Sequence, residues 1–136
     1  MLRIVTLITL LFSFTTSLMA ADNIKVMHLT GQSNKYHSWK GTGDAINKHL
    51  KSAGIFDVDV VTSPAGGEDM SRFSPKFSDY DVVVLNYDGE DWSEKTKKAF
   101  VKYVRDGGGV VTVHGANNSF AYWPEYNEII GLGGWG

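Results

Sequence analysis

The segment Gly107–Asn118, GGGVVTVHGANN, decides how this chain is read. Its glycines end the element before it, and Val110–Val113 then forms a β-branched run suited to a strand. His114 and Gly115 stand where that run stops. Either the histidine is a working group at the mouth of a sheet, or it is a polar stop to a buried strand.

Working outward from this segment, the chain alternates between two periods. Ile24–Thr30, Asp57–Thr62 and Tyr80–Asn86 read as further strands, and the unbroken aliphatic run of the last suits a strand covered on both faces. Gly41–Ala53 reads as a helix with Ile46, His49, Leu50 and Ala53 on one side and Gly54 as its stop. A second helix follows Asp91, which with Glu94 three residues on has the spacing of a capping box. Its apolar positions are Thr96, Ala99, Phe100, Tyr103 and Val104, while Lys95, Lys97, Lys98, Lys102 and Arg105 form a solvated face. A last helix is expected over Pro124–Ile130, and Ser63–Asp79 is the longest loop, polar at its Gly66–Asp69 centre. Strand–helix alternation of this kind predicts an α/β fold, a doubly wound parallel sheet with helices on both faces.

The N-terminus stands apart. Met1-Leu2-Arg3 is a basic start, Ile4–Leu18 is apolar apart from Ser and Thr, and Ala20 and Ala21 are small, the layout of a secretory signal peptide over residues 1–21. A periplasmic or secreted protein is therefore expected, its single domain spanning residues 22–136. Loss of Arg3 leaves 12 basic against 15 acidic residues, a balance of −3 without the basic face that nucleic-acid binding requires. The chain has no cysteine, so no disulfide staples it and no thiol can act as nucleophile.

In doubly wound sheets ligands sit beyond the carboxyl ends of the strands, so the segments following the strands hold the candidates. After the first strand come Gln32, Asn34, His37 and Trp39; after the third, Asp88, Glu90 and Trp92; after the fourth, His114, Asn117 and Trp123. His37 and His114 are candidate proton-transfer groups, and are the candidate ligands if a divalent metal such as zinc is bound. Asn34, Asp88 and Asn117 offer hydrogen-bonding groups, and Trp39, Trp92 and Trp123 offer stacking faces. Asp91 is explained as a helix cap, Glu90 leans toward a structural role, and His28 and His49, inside a strand and a helix, are read as structural.

The stretches LTGQSNKYHSWKGT, DVVTSPAGGEDMSRFSPKFSDYDVVVLNYDGEDW and GGGVVTVHGANNSFAYWPEYNEIIGLGGWG together resemble the ThuA-like family, named for trehalose utilisation. The resemblance runs from Ile24 to Gly136 and is most distinctive in WPEYNEIIGLGGWG. It implies a flavodoxin-like fold of the class I glutamine amidotransferase type, in which the turn after the fourth strand presents a catalytic cysteine. Here that turn carries His114, so thiol chemistry is excluded by residue type. The resemblance further implies a small-molecule carbohydrate as ligand, a disaccharide such as trehalose or its keto form, and a sugar dehydrogenase as pathway partner. A sugar-binding or structural module without turnover is the other reading. Family members extend past the GLGGWG motif, so the sheet is expected to be incomplete at its C-terminus and the chain prone to self-association as a homo-oligomer.

Overall fold

Four parallel strands, β1 (Ile24–Thr30), β2 (Phe56–Thr62), β3 (Val82–Leu85) and β4 (Gly109–Thr112), pair in the order β2-β1-β3-β4. The computed structural model describes residues 22–133. The expected signal peptide and the final Gly134-Trp135-Gly136 lie outside the described residues. Helices α1 (Trp39–Ser52), α2 (Glu94–Arg105) and α3 (Pro124–Ile130) complete a flavodoxin-like α/β fold. Among the described residues no helix is long and apolar enough to cross a membrane.

The two faces of the sheet are packed very differently. Met27 and Leu29 of β1 and Val83 and Leu85 of β3 point to the α2/α3 face, where they meet an aromatic layer of Phe77, Trp92, Phe100, Phe120, Trp123 and Tyr126. Trp92 and Phe100 make an edge-to-face pair with centroids 5.7 Å apart, and Trp92 and Phe120 another at 4.9 Å. Such geometry adds about 0.5–1.5 kcal/mol per pair beyond the area buried. On the opposite face α1 lies over β1 with Gly43 as its one buried residue, and Val60 and Val111 remain 44% and 50% exposed.

Local chemistry moves several expected boundaries. The first helix begins at Trp39 because Ser38 caps it, its hydroxyl accepting from the Gly41 N–H at 3.3 Å. The second is capped by Ser93, which accepts from the Thr96 N–H, and not by the expected Asp91–Glu94 box. Asp91 lies too far before the first turn for that role and instead pairs with Lys97 at 3.3 Å. Lys97 also departs from the expected solvated face: its ammonium lies 5.6 Å from the centre of the Trp123 ring. In the long loop, Gly66–Asp69 is exposed as expected, while Phe73 and Phe77 turn inward and close the aromatic core.

His28, structural by expectation, is fully buried on the α1 face. Burial lowers its pKa from the ordinary 6.5, partly opposed by the Asn47 amide beside it. The unfolded chain therefore binds this proton more readily than the folded one. The stability that the neutral ring contributes is complete above the unfolded value and is lost as pH falls through the folded one. Urea unfolding is expected to show the midpoint falling as pH drops below about 6.5. In His28→Leu that decline should be shallower than in the wild type, and an unchanged slope would exclude His28 as its source.

Candidate functional site

The strand order reverses between β1 and β3, because β2 lies on one side of β1 while β3 and β4 lie on the other. The loops leaving the carboxyl ends of β1 and β3 must then diverge, opening a crevice at the place where doubly wound sheets bind ligands. His37, Asp88 and His114 reach this crevice from the loops after β1, β3 and β4, and Gln32, Ser33, Trp39 and Asn86 are among the other residues that line it. The enclosed space is about 50 Å³. That admits a water or two, or the edge of a ligand, but not a whole sugar ring.

The crevice is held by amide side chains. Gln32 donates to the Pro64 carbonyl at 2.8 Å and accepts from the Glu90 N–H at 2.9 Å, so one buried residue joins the loops after β1, β2 and β3. Gly89 makes room for it, since a Cβ there would collide with the Gln32 side chain. Asn86 donates to the Thr30 hydroxyl at 3.1 Å and to the Trp39 carbonyl at 2.9 Å, fixing the start of α1. The Glu90 carboxylate accepts from the Gly67 N–H at 2.9 Å, the structural role to which its sequence context pointed.

Asn34 determines the state of His37. Its Oδ1 accepts from the Tyr36 N–H at 2.8 Å, and its Nδ2 donates to the Asp88 carboxylate, so both ends of the amide are assigned by their partners. His37 Nδ1 lies 2.9 Å from the same Oδ1, which can only accept. The proton of the neutral ring therefore sits on Nδ1, and Nε2 carries a lone pair. The His114 ring is in contact with it, the centroids 4.8 Å apart and the planes at 69°.

His114 is exposed and held at φ 36°, in the left-handed region that a residue with a Cβ seldom occupies. Such a conformation costs about 1–3 kcal/mol and persists where surrounding structure imposes it. Here the imposing contacts are buried: the Tyr126 hydroxyl donates to the Ala116 carbonyl at 2.7 Å, and the Ser119 hydroxyl to the Tyr87 carbonyl at 2.6 Å. Burial raises the Tyr126 pKa, so its phenol stays a donor at neutral pH.

The chain matches the family described as trehalose utilisation (ThuA) over residues 25–134. The chain belongs to the ThuA family. Its fold is also similar to that of a ThuA-like protein from Parabacteroides merdae ATCC 43184, known at 1.75 Å resolution, with 47% identity and a TM-score of 0.79. That similarity covers 84% of this chain and 40% of the other, so this ThuA family member spans less than half the length of that relative. Comparison with curated proteins gives no match.

In this ThuA family member the structure gathers some expected site residues and separates others. His37, His114, Asp88 and Trp39 line the crevice together, and Asn34 stands behind His37. Trp92 and Trp123, expected as stacking faces, are 2% and 6% exposed within the aromatic core and do not line the crevice. Asn117 lies on the turn after His114 without lining the crevice. For zinc the residues do not suffice. Among the described residues no three of His, Cys, Asp and Glu gather into a ligand set, whereas a catalytic zinc takes three protein ligands.

Two outcomes follow from these bonds. Tyr126→Phe should cost about 0.5–1.5 kcal/mol in urea unfolding by leaving the Ala116 carbonyl with the Ser119 N–H alone, and should broaden the His114 ring resonances. Asn34→Ala should relax the tautomer of neutral His37, read as convergence of its two ¹⁵N ring shifts. An unaltered tautomer would remove Asn34 from this role.

Proposed function

We propose that this protein is an exported enzyme of carbohydrate utilisation whose His37–His114 pair moves protons between neighbouring atoms of a sugar. The observation that carries this reading is the ring contact between the two imidazoles inside a crevice that admits only the edge of a ligand. Rings so close cannot embrace a substrate from opposite sides. They can address two adjacent atoms, such as a carbonyl oxygen and the carbon or hydroxyl beside it.

His37 Nε2, with its lone pair fixed by Asn34, is the base. His114, exposed and able to hold a proton, is the acid, and the two roles exchange when the reaction runs backward. Asp88 holds Asn34 in place, and the amides of Gln32 and Asn86 brace the loops around the pair. The substrate on this reading is a keto-sugar or a disaccharide carrying one, whose acidic C–H lies next to a carbonyl. Hydrolysis of a glycosidic bond fits less well, since it ordinarily needs two carboxyl groups and Asp88 is the one carboxylate lining the crevice. Nucleophilic catalysis also lacks a group: there is no cysteine, and the Ser33 hydroxyl donates to the His37 carbonyl at 2.7 Å instead of to an imidazole.

The test is proton exchange in D₂O. Incubation with a keto-disaccharide should replace the hydrogen next to its carbonyl by deuterium faster than buffer does, followed by NMR. His37→Ala and His114→Ala should each lower that rate by about 100-fold or more. Saturable binding without any exchange would instead identify a sugar-binding module without turnover.

A further inference from the structure

A sugar that enters the crevice leaves most of itself outside, so the surface around the mouth decides how large a substrate the site prefers. The enclosed space of about 50 Å³ takes the edge of one ring, and whatever is attached to that ring must lie on the rim. Part of the rim is the loop after β1, Lys35-Tyr36-His37-Ser38-Trp39-Lys40, which sets an aromatic residue on either side of His37 in the chain. Trp39 is half-buried and lines the crevice itself. Tyr36 is not among the lining residues and is 78% exposed.

Tyr36 is exposed but its backbone is fixed. Its N–H donates to Asn34 Oδ1 at 2.8 Å, the same oxygen that accepts from His37 Nδ1, so one amide places both the tyrosine and the base. The loop is closed behind them: the Ser33 hydroxyl donates to the His37 carbonyl at 2.7 Å and accepts from the Trp39 N–H at 3.2 Å. A tyrosine ring on a pinned backbone has two side-chain torsions left, so a ligand that stacks on it orders little. A pyranose presents a face of C–H groups and a rim of hydroxyls. An aromatic ring suits the face, and an ammonium, which only donates, suits the hydroxyl oxygens. Each ring of this loop has such a group beside it, with Lys35 Nζ 4.8 Å from the centre of Tyr36 and Lys40 Nζ 5.4 Å from that of Trp39.

We propose that Tyr36 is the platform for a second sugar ring, so that the site prefers a disaccharide to a monosaccharide. The inference rests on the proton-transfer reading of the crevice for the ring that reacts. That ring meets His37 and His114 by its edge along the Trp39 wall, and the ring joined to it lies outside on Tyr36. Tyr36 touches no reacting atom, so its contribution is to binding and to the choice of substrate.

Deuterium exchange is followed with the keto form of trehalose and the keto form of glucose, each over a range of concentrations. The disaccharide is expected to show a KM about tenfold below that of the monosaccharide, with similar kcat. Tyr36→Ala should raise the disaccharide KM about tenfold with kcat held within about twofold, and Tyr36→Phe, which retains the ring, should keep the wild-type KM. The ring is exposed, so both variants should unfold at the wild-type urea midpoint. Equal KM for the two sugars would overturn the platform, as would a disaccharide KM that Tyr36→Ala leaves in place. A second measurement does not depend on turnover. Trehalose is titrated while the Tyr36 ring resonances, assigned by their absence from Tyr36→Phe, are followed; they should shift and saturate, and D-glucose at equal concentration should leave them in place. Saturation at Tyr36 without any deuterium exchange would leave the platform standing and remove the acid–base reading. Exchange without a disaccharide preference would do the reverse, and neither exchange nor movement at Tyr36 would overturn both.

Discussion

Two buried hydroxyl groups hold the end of this sheet in the form on which the site depends. Tyr126 of α3 and Ser119 donate to the carbonyls of Ala116 and Tyr87, and between them the turn after β4 is tied both to a helix and to the loop after β3. The turn is flanked by two left-handed residues, His114 at φ 36° and Phe120 at φ 56°. An aromatic residue in that conformation is a genuine outlier. The position is affordable because the Phe120 ring is stacked on Tyr87 at 5.8 Å and set edge-on to Trp92 and Tyr126. Aromatic packing thus fixes the backbone, and the backbone aims the histidine into the crevice.

The rest of the site is organised by amides instead of charges. Gln32 and Asn34 spend both ends of their side chains on fixed partners and Asn86 donates twice from its Nδ2, bridging loops that the topology would otherwise let diverge. An amide suits this work because it donates and accepts without carrying a charge into a partly buried space. The arrangement leaves the two imidazoles in ring contact at the crevice, braced by neutral groups.

Membership of the ThuA family and 47% identity to a longer ThuA-like protein place the fold. The described residues supply a sheet whose α2/α3 face is densely packed and whose α1 face carries the polar pocket around His28. The same helix bounds both the pocket and the crevice through its first residue, Trp39.

The sequence by itself determined the alternation of strands and helices, the parallel sheet and the edge on which His37 and His114 lie. Those follow from local periodicity and from the rule that a doubly wound sheet gathers its loops at one end. It also excluded thiol chemistry, since residue type alone decides that. The tertiary structure decided which side chains meet. Trp92 and Trp123 read as surface platforms in their loops, yet the core beneath α2 and α3 takes them up because burying a large aromatic there stabilises more than exposing it. Asn34 read as a ligand contact, yet it turns inward to set the proton on His37 and is held there by Asp88, 54 residues away. His28 read as a structural residue of its strand, and only the helix laid over it brings the Asn47 amide beside the buried ring. Periodicity reports which face a residue occupies; what stands opposite it is set by long-range packing, which no local spacing encodes.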